Sequence, residues 1–214
     1  GRRAAGSGRG DGRARERQRG VGDRPAGACR TVLVHPDPVG ADPFLARAVG
    51  LAMGEDPFEM SVSEWDEAAE TPGAAFYVFD RCEPARPAPG PSLHVGAGAP
   101  QSGVRLVRFE SPVAGRVLTW DRAHPALAVV SLDSVSLGEG AALEWDAGTP
   151  AASVARGEDG ALMAAIDEGA QRRFVVAFGP DGSNWETDPS FPLFVQLVSE
   201  WLAPSSSGGG ESHT

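Results

Sequence analysis

Cys82 is the residue of this sequence best placed to act as a nucleophile. It follows "AAFYVFD" (residues 74–80), a nearly unbroken apolar run with the character of a buried strand. An α/β hydrolase or amidotransferase puts its nucleophile where such a strand ends. An active thiol there needs a tight strand-to-helix turn, and a helix whose positive end faces the thiolate. The neighbours of Cys82 are Asp80, Arg81, Glu83 and Pro84. No glycine flanks it, no helical pattern follows, and no G-x-S-x-G occurs elsewhere. Cys82 is therefore expected to be a loop thiol without a catalytic role.

The other groups that could do chemistry are scattered. The four histidines, His35, His94, His124 and His213, are far apart, and none has a second ligand at metal spacing. His35 and His94 end short strands that could lie side by side at the carboxyl edge of a sheet, where α/β folds bind ligands. His124, in "DRAHPAL", reads as structural, with Asp121 bonding its imidazole or capping the turn. In "DGSNWETD", Asp181, Asn184, Glu186 and Asp188 could form a carboxylate cluster, but turns favour the same residue types. "GAGAP" lacks the third glycine and the following helix of a dinucleotide fingerprint, and there is no Walker sequence. The reading assigns no catalytic, cofactor-binding or metal residue, and no cofactor. One arrangement would change it: His35, Asp37, Asp80, Cys82 and His94 meeting in one open pocket.

The elements that would position these groups follow from the pattern. "RTVLVHP" is a β-branched run ended by proline, a strand. "ADPFLARAVGLAMG" is a helix with Asp42 as cap, Pro43 at its first position and Gly54 as its stop; Phe44, Leu45, Ala48, Val49 and Ala52 form its apolar face. "FEMSV" is a second strand, and "SEWDEAAE" a short helix capped by Ser63. "AAFYVFD" lacks alternation, as a strand buried on both faces of a parallel sheet does. A Pro-rich loop then leads to "SLHVG". Strand, helix, strand, helix, strand is the signature of a parallel sheet. The second half alternates apolar and polar positions, with turn signals at "GEDG" and "DEGAQ", so it predicts antiparallel strands. "RRFVVAF" is continuously apolar and is expected to re-enter the sheet. A closing helix, with Ser190 as cap and Pro192 in its first turn, carries Phe191, Phe194, Val195, Val198 and Leu202 on one stripe.

Composition sets the limits. The 214 residues suit one domain with tails. Every basic residue is arginine. Residues 1–30 hold nine Arg against three acids, a net of +6. The remainder holds ten Arg against 26 acids, a net of −16. Such a body repels nucleic acid and anionic membrane surfaces. Residues 1–30 have almost no large apolar side chain and are expected to be disordered. Residues 204–214 have a Ser/Gly linker composition. Cys29 and Cys82 do not suggest a structural disulfide. No apolar run is long enough to span a bilayer. The chain reads as a fragment of a longer protein.

Three stretches carry a family resemblance: "VVAFGPDGSNWETDPSFPLFVQLVSEWL", "WDRAHPAL" and "FYVFDRCEPARPAPGPSLHVG". Their order and spacing resemble the C-terminal region of bacterial membrane proteins with a von Willebrand factor A domain, the aerotolerance-regulator-like (BatA-type) proteins. The resemblance covers about residues 31–203. It implies an α/β domain that is flavodoxin-like or class I glutamine amidotransferase-like: a mostly parallel central sheet flanked by helices, with antiparallel strands added in the second half. It also implies a soluble segment of a cell-membrane protein, with protein partners in an envelope-associated assembly, and neither nucleic acid nor direct membrane insertion. The amidotransferase triad does not appear. The expected function is a non-catalytic interaction or scaffold module; the alternative is a small-molecule binder or degenerate hydrolase using the carboxyl edge of the sheet. Residues 179–190 are read as structural, with Trp185 packed inward while Ser183 and Asn184 satisfy backbone groups.

Overall fold

The computed structural model describes residues 31–109, 115–169 and 171–202. The expectations for residues 1–30 and 204–214 lie outside them. The first five elements alternate as the apolar pattern predicts: β1 (Thr31–His35), α1 (Pro43–Met53), β2 (Phe58–Ser61), α2 (Val62–Glu67) and β3 (Phe76–Asp80). After the Pro-rich loop come β4 (Ser92–Val95) and β5 (Val104–Arg108). The second half supplies β6 (Gly115–Arg116), β7 (Thr119–Trp120), β8 (Ser136–Leu137), β9 (Ala141–Trp145), β10 (Ala151–Arg156), β11 (Ala161–Glu168) and β12 (Gln171–Val176), then α3 (Ser190–Leu202).

Ten strands form one sheet with the path β2-β1-β3-β4-β12-β11-β10-β7. Every pairing from β2 to β12 is parallel. From β12 outward the pairing is antiparallel. The β5–β9 pair joins as a branch through a bridge between Leu143 and Ala161. Strands β6 and β8 form a small separate ladder. "GEDG" turns β10 into β11, as predicted, and in "DEGAQ" Asp167 and Glu168 end β11 and Gln171 opens its antiparallel partner β12. "RRFVVAF" does re-enter the sheet: β12 pairs with β4 on one side and β11 on the other.

The inner parallel strands β1, β3 and β4 are buried on both faces, which accounts for their apolar runs, whereas β2, at the edge, exposes Phe58 and Glu59. Leu33, Phe76, Val78, Leu93, Val95 and Phe174 share one buried cluster with residues of α1 and α3. Val32, Val34, Tyr77 and Phe79 share another with Trp65 of α2. The Trp65 ring meets Tyr77 and Phe79 edge-on, and its indole N–H donates to the Arg86 carbonyl at 3.0 Å. Asp66 accepts from the backbone N–H groups of Ala85 and Arg86, so the Pro-rich loop is fastened across this face.

Several local expectations are corrected. Phe44 is 45% exposed and does not belong to the α1 face; Leu45, Ala48 and Val49 do. The cap of α2 is Ser61, not Ser63, because Ser61 forms a reciprocal capping box with Glu64. At α3, Ser190 is the first helical residue, and the Asp188 carboxylate accepts its backbone N–H at 2.8 Å. In the second half, where alternating strands are expected, residues 130–138 ("VSLDSVSLG") supply strand only at Ser136–Leu137.

Candidate functional site

The site is the carboxyl edge of the parallel strands, where β1, β3, β4 and β12 end. Asp80, the last residue of β3, has no solvent exposure. A carboxylate buried this deeply is tolerable only when paired and hydrogen-bonded. Its partner is the next residue. The Arg81 guanidinium grips Asp80 with two bonds, Nε to Oδ1 and Nη2 to Oδ2, each 2.9 Å. Asp80 Oδ2 also accepts the backbone N–H of Asp42 at 2.7 Å, which ties it to the cap of α1.

Arg81 reaches further. Its Nη1 lies 3.0 Å from Oδ2 of Asp181, and its Nη2 donates to the Gly40 carbonyl at 3.2 Å. Its side chain is 19% exposed. Hydrogen bonds to Asp80 raise its pKa above the ordinary arginine value, so it is a fixed cation. Its backbone adopts φ +50°, and it is the one non-glycine residue with positive φ among those described. A left-handed residue directly after a strand is the backbone feature of a nucleophile elbow. The sequence reading expects no strained turn here. The turn exists, but its residue is an arginine and no helix follows it.

Cys82, one residue on, is 7% exposed and belongs to the cluster under α2. Its Sγ contacts the Val34 carbonyl at 3.4 Å. Burial, assisted by the charges of Asp80 and Asp66, pushes its thiol up to about 12. A thiol in that state is a poor nucleophile at neutral pH.

The histidines do not converge. Strand β3 lies between β1 and β4, so His35 and His94 are not neighbours; the expectation that their strands could lie side by side is overturned. His35 Nδ1 contacts the Pro36 carbonyl at 3.3 Å. Asp37 is exposed and accepts from the Ser63 backbone and hydroxyl. His94 lies inside β4, stacked on Phe79 with ring centroids 4.8 Å apart. Its Nε2 is 3.1 Å from the Ser92 hydroxyl, and its Nδ1 has no hydrogen-bond partner among the described residues. Burial, with the Arg173 charge, lowers its pKa to about 3, so it is neutral under ordinary conditions. His124 is structural as read: its Nδ1 accepts the Ala126 N–H, and its ring packs against Phe174 and Trp201. Asp121 caps that turn through the Ala123 N–H.

The polar side chains of the stretch after β12 bond to the protein itself. Among the described residues, no group of three His, Cys, Asp or Glu side chains could hold a metal. Asn184 instead accepts the Ser136 N–H at 2.8 Å and donates to the Ser134 carbonyl at 3.0 Å. Ser183 donates its hydroxyl to the Gly179 carbonyl. Trp185 is 1% exposed, between Phe178, Phe191 and Phe194, with its indole N–H on the Ser190 hydroxyl at 2.9 Å. Beside Arg81 there remains a cleft of about 170 Å³, lined by Gly96, Arg108, Glu139 and Asp181 among others.

No family model matches the sequence, and no curated protein does. Solved structures do resemble the fold. A cytoplasmic protein of Salmonella typhimurium superposes with a TM-score of 0.57 at 10% identity, covering 81% of this chain and 99% of that one. A Thermoplasma acidophilum protein assigned as a GMP synthase subunit gives a TM-score of 0.50 at 10% identity, covering 81% and 96%. At such identity the likeness is one of fold. The architecture is α/β: a mostly parallel central sheet flanked by helices, with antiparallel strands added. No helix among the described residues is long and apolar enough to cross a membrane.

Proposed function

We propose that this chain is a non-catalytic interaction module, part of a larger membrane-anchored protein of the von Willebrand factor A, aerotolerance-regulator-like type, with protein partners in an envelope-associated assembly. The observation that carries the non-catalytic reading is Arg81. The strained position after β3 holds a guanidinium bonded to Asp80, Asp181 and Gly40 rather than a nucleophile. The nearest thiol is buried and protonated, and no histidine among the described residues bonds to it. The parent assignment rests on the sequence resemblance, and the segment upstream of Gly1 in the gene tests it. A von Willebrand factor A domain and membrane-spanning helices are expected there; an unrelated domain would overturn the assignment.

The non-catalytic reading is tested by assaying glutamine and activated-ester hydrolysis with the purified chain and its Cys82→Ser variant. Both are expected at the buffer rate. Turnover that Cys82→Ser abolishes would overturn the reading.

A further inference from the structure

We infer that the crevice at the carboxyl edge is a guanidinium site, filled from within by Arg81, which latches the end of β3 to the β1–α1 loop and to the turn after β12. The inference rests on the reading of this edge as non-catalytic, and adds what the edge is built to hold.

The crevice lies at a topological switch point. From β1 the chain places β2 on one side and β3 on the other, and ligands of α/β folds bind outside the strand ends at such a point. Four of the five guanidinium N–H groups of Arg81 have acceptors there: both oxygens of Asp80, one oxygen of Asp181 and the Gly40 carbonyl. The paired bonds to Asp80 match the planar fork of a guanidinium and no compact ammonium. These acceptors come from the end of β3, the β1–α1 loop and the turn after β12. Gly96, at φ +65°, leaves room for the stem: a Cβ there would stand 3.0 Å from Arg81 Cγ. Arg81 itself holds a left-handed backbone that disfavours its side chain, and such strain persists where the surroundings over-determine it. Two carboxylates, a carbonyl and a glycine wall therefore form a receptor for a planar cation, and the chain supplies that cation itself.

The test is chemical rescue. Arg81→Gly removes the guanidinium and relieves the left-handed strain together. The variant is expected to melt several degrees lower than the parent. Millimolar methylguanidinium should restore much of the loss with a saturable dose response, whereas methylammonium at equal ionic strength should not. The parent, whose crevice is occupied, and the Asp80→Asn/Arg81→Gly double variant should show no saturable gain. If Arg81→Gly is too unstable to purify folded, the same comparison is read from refolding yield on dilution out of denaturant. Equal stability of Arg81→Gly and parent, absence of rescue, or equal shifts with both cations would each overturn the latch. Those outcomes would leave the non-catalytic reading standing. Cys82-dependent turnover would sink that reading without altering the rescue.

Discussion

At the scale of single residues, ionisable groups are fixed by burial more than by motif. Cys82 should be chemically silent. In a Cys29→Ser background, its alkylation by iodoacetamide at pH 8 should run at least about a hundredfold slower folded than in denaturant, since the folded thiol titrates far above the free value of about 8.5. Comparable rates would show an accessible thiolate. His94 makes the opposite kind of prediction. Its folded pKa, about 3, lies below its unfolded value near 6.5, so between these limits the unfolded state binds the extra proton. Stability must therefore fall as the pH drops from about 6.5 toward 3, by up to about 1.4 kcal/mol per pH unit for one proton. His124, whose pKa burial also lowers, adds to the same limb. His94→Phe, which keeps a ring against Phe79, should flatten the stability profile between pH 6.5 and 5. An unchanged slope there would remove His94 as its source. Cys82 and His94 are visible in the sequence as candidates, and the missing glycines and missing ligand spacing already argue there against a catalytic or metal-binding role. Arg81 is not visible. Nothing in "FDRCEP" marks a left-handed arginine, and its second carboxylate, Asp181, stands a hundred residues away.

At the scale of elements, what is legible is what local physics decides. The start and stop of α1 follow from Asp42, Pro43 and Gly54, each acting on its own neighbours. Caps shift where two candidates compete within three residues: Ser61 displaces Ser63 because only Ser61 has Glu64 at the reciprocal spacing. Strands β5 and β9 escape the sequence reading because "VRLVR" and "AALEW" are defined chiefly by pairing with each other, across a long stretch of chain. The closing helix is legible as a cover for one sheet face: Phe191, Phe194, Val195, Val198 and Leu202 are all buried. Phe194→Ala is therefore expected to cost about 3–5 kcal/mol, and Trp185→Ala a comparable amount. Asp188→Ala removes a cap bond and should cost about 1 kcal/mol. Urea denaturation with and without divalent ions measures all three. An ion-dependent loss confined to Asp188→Ala would instead reveal a binding site in the turn.

At the scale of the whole molecule, charge and topology dominate. Residues 31–214 carry a net of −16, so the folded body repels itself. A fragment beginning at Thr31 should gain melting temperature as salt rises from low ionic strength to about 0.15 M, where the screening length is about 8 Å. Unchanged or falling stability would mean that its surface ion pairs outweigh the repulsion. Topology has a different effect. Strands β4 and β12 are hydrogen-bonded neighbours, yet all of residues 96–170 lie between them in the chain. A ribosome making this protein therefore releases the four parallel strands long before the fifth exists. Until β12 emerges, the nascent chain presents Ser92–Val95, buried throughout in the finished fold, as a bare strand edge. That interval is when a chaperone would be needed, and when a ribosome stalled before Gln171 would leave a product prone to pair with its neighbours rather than with itself.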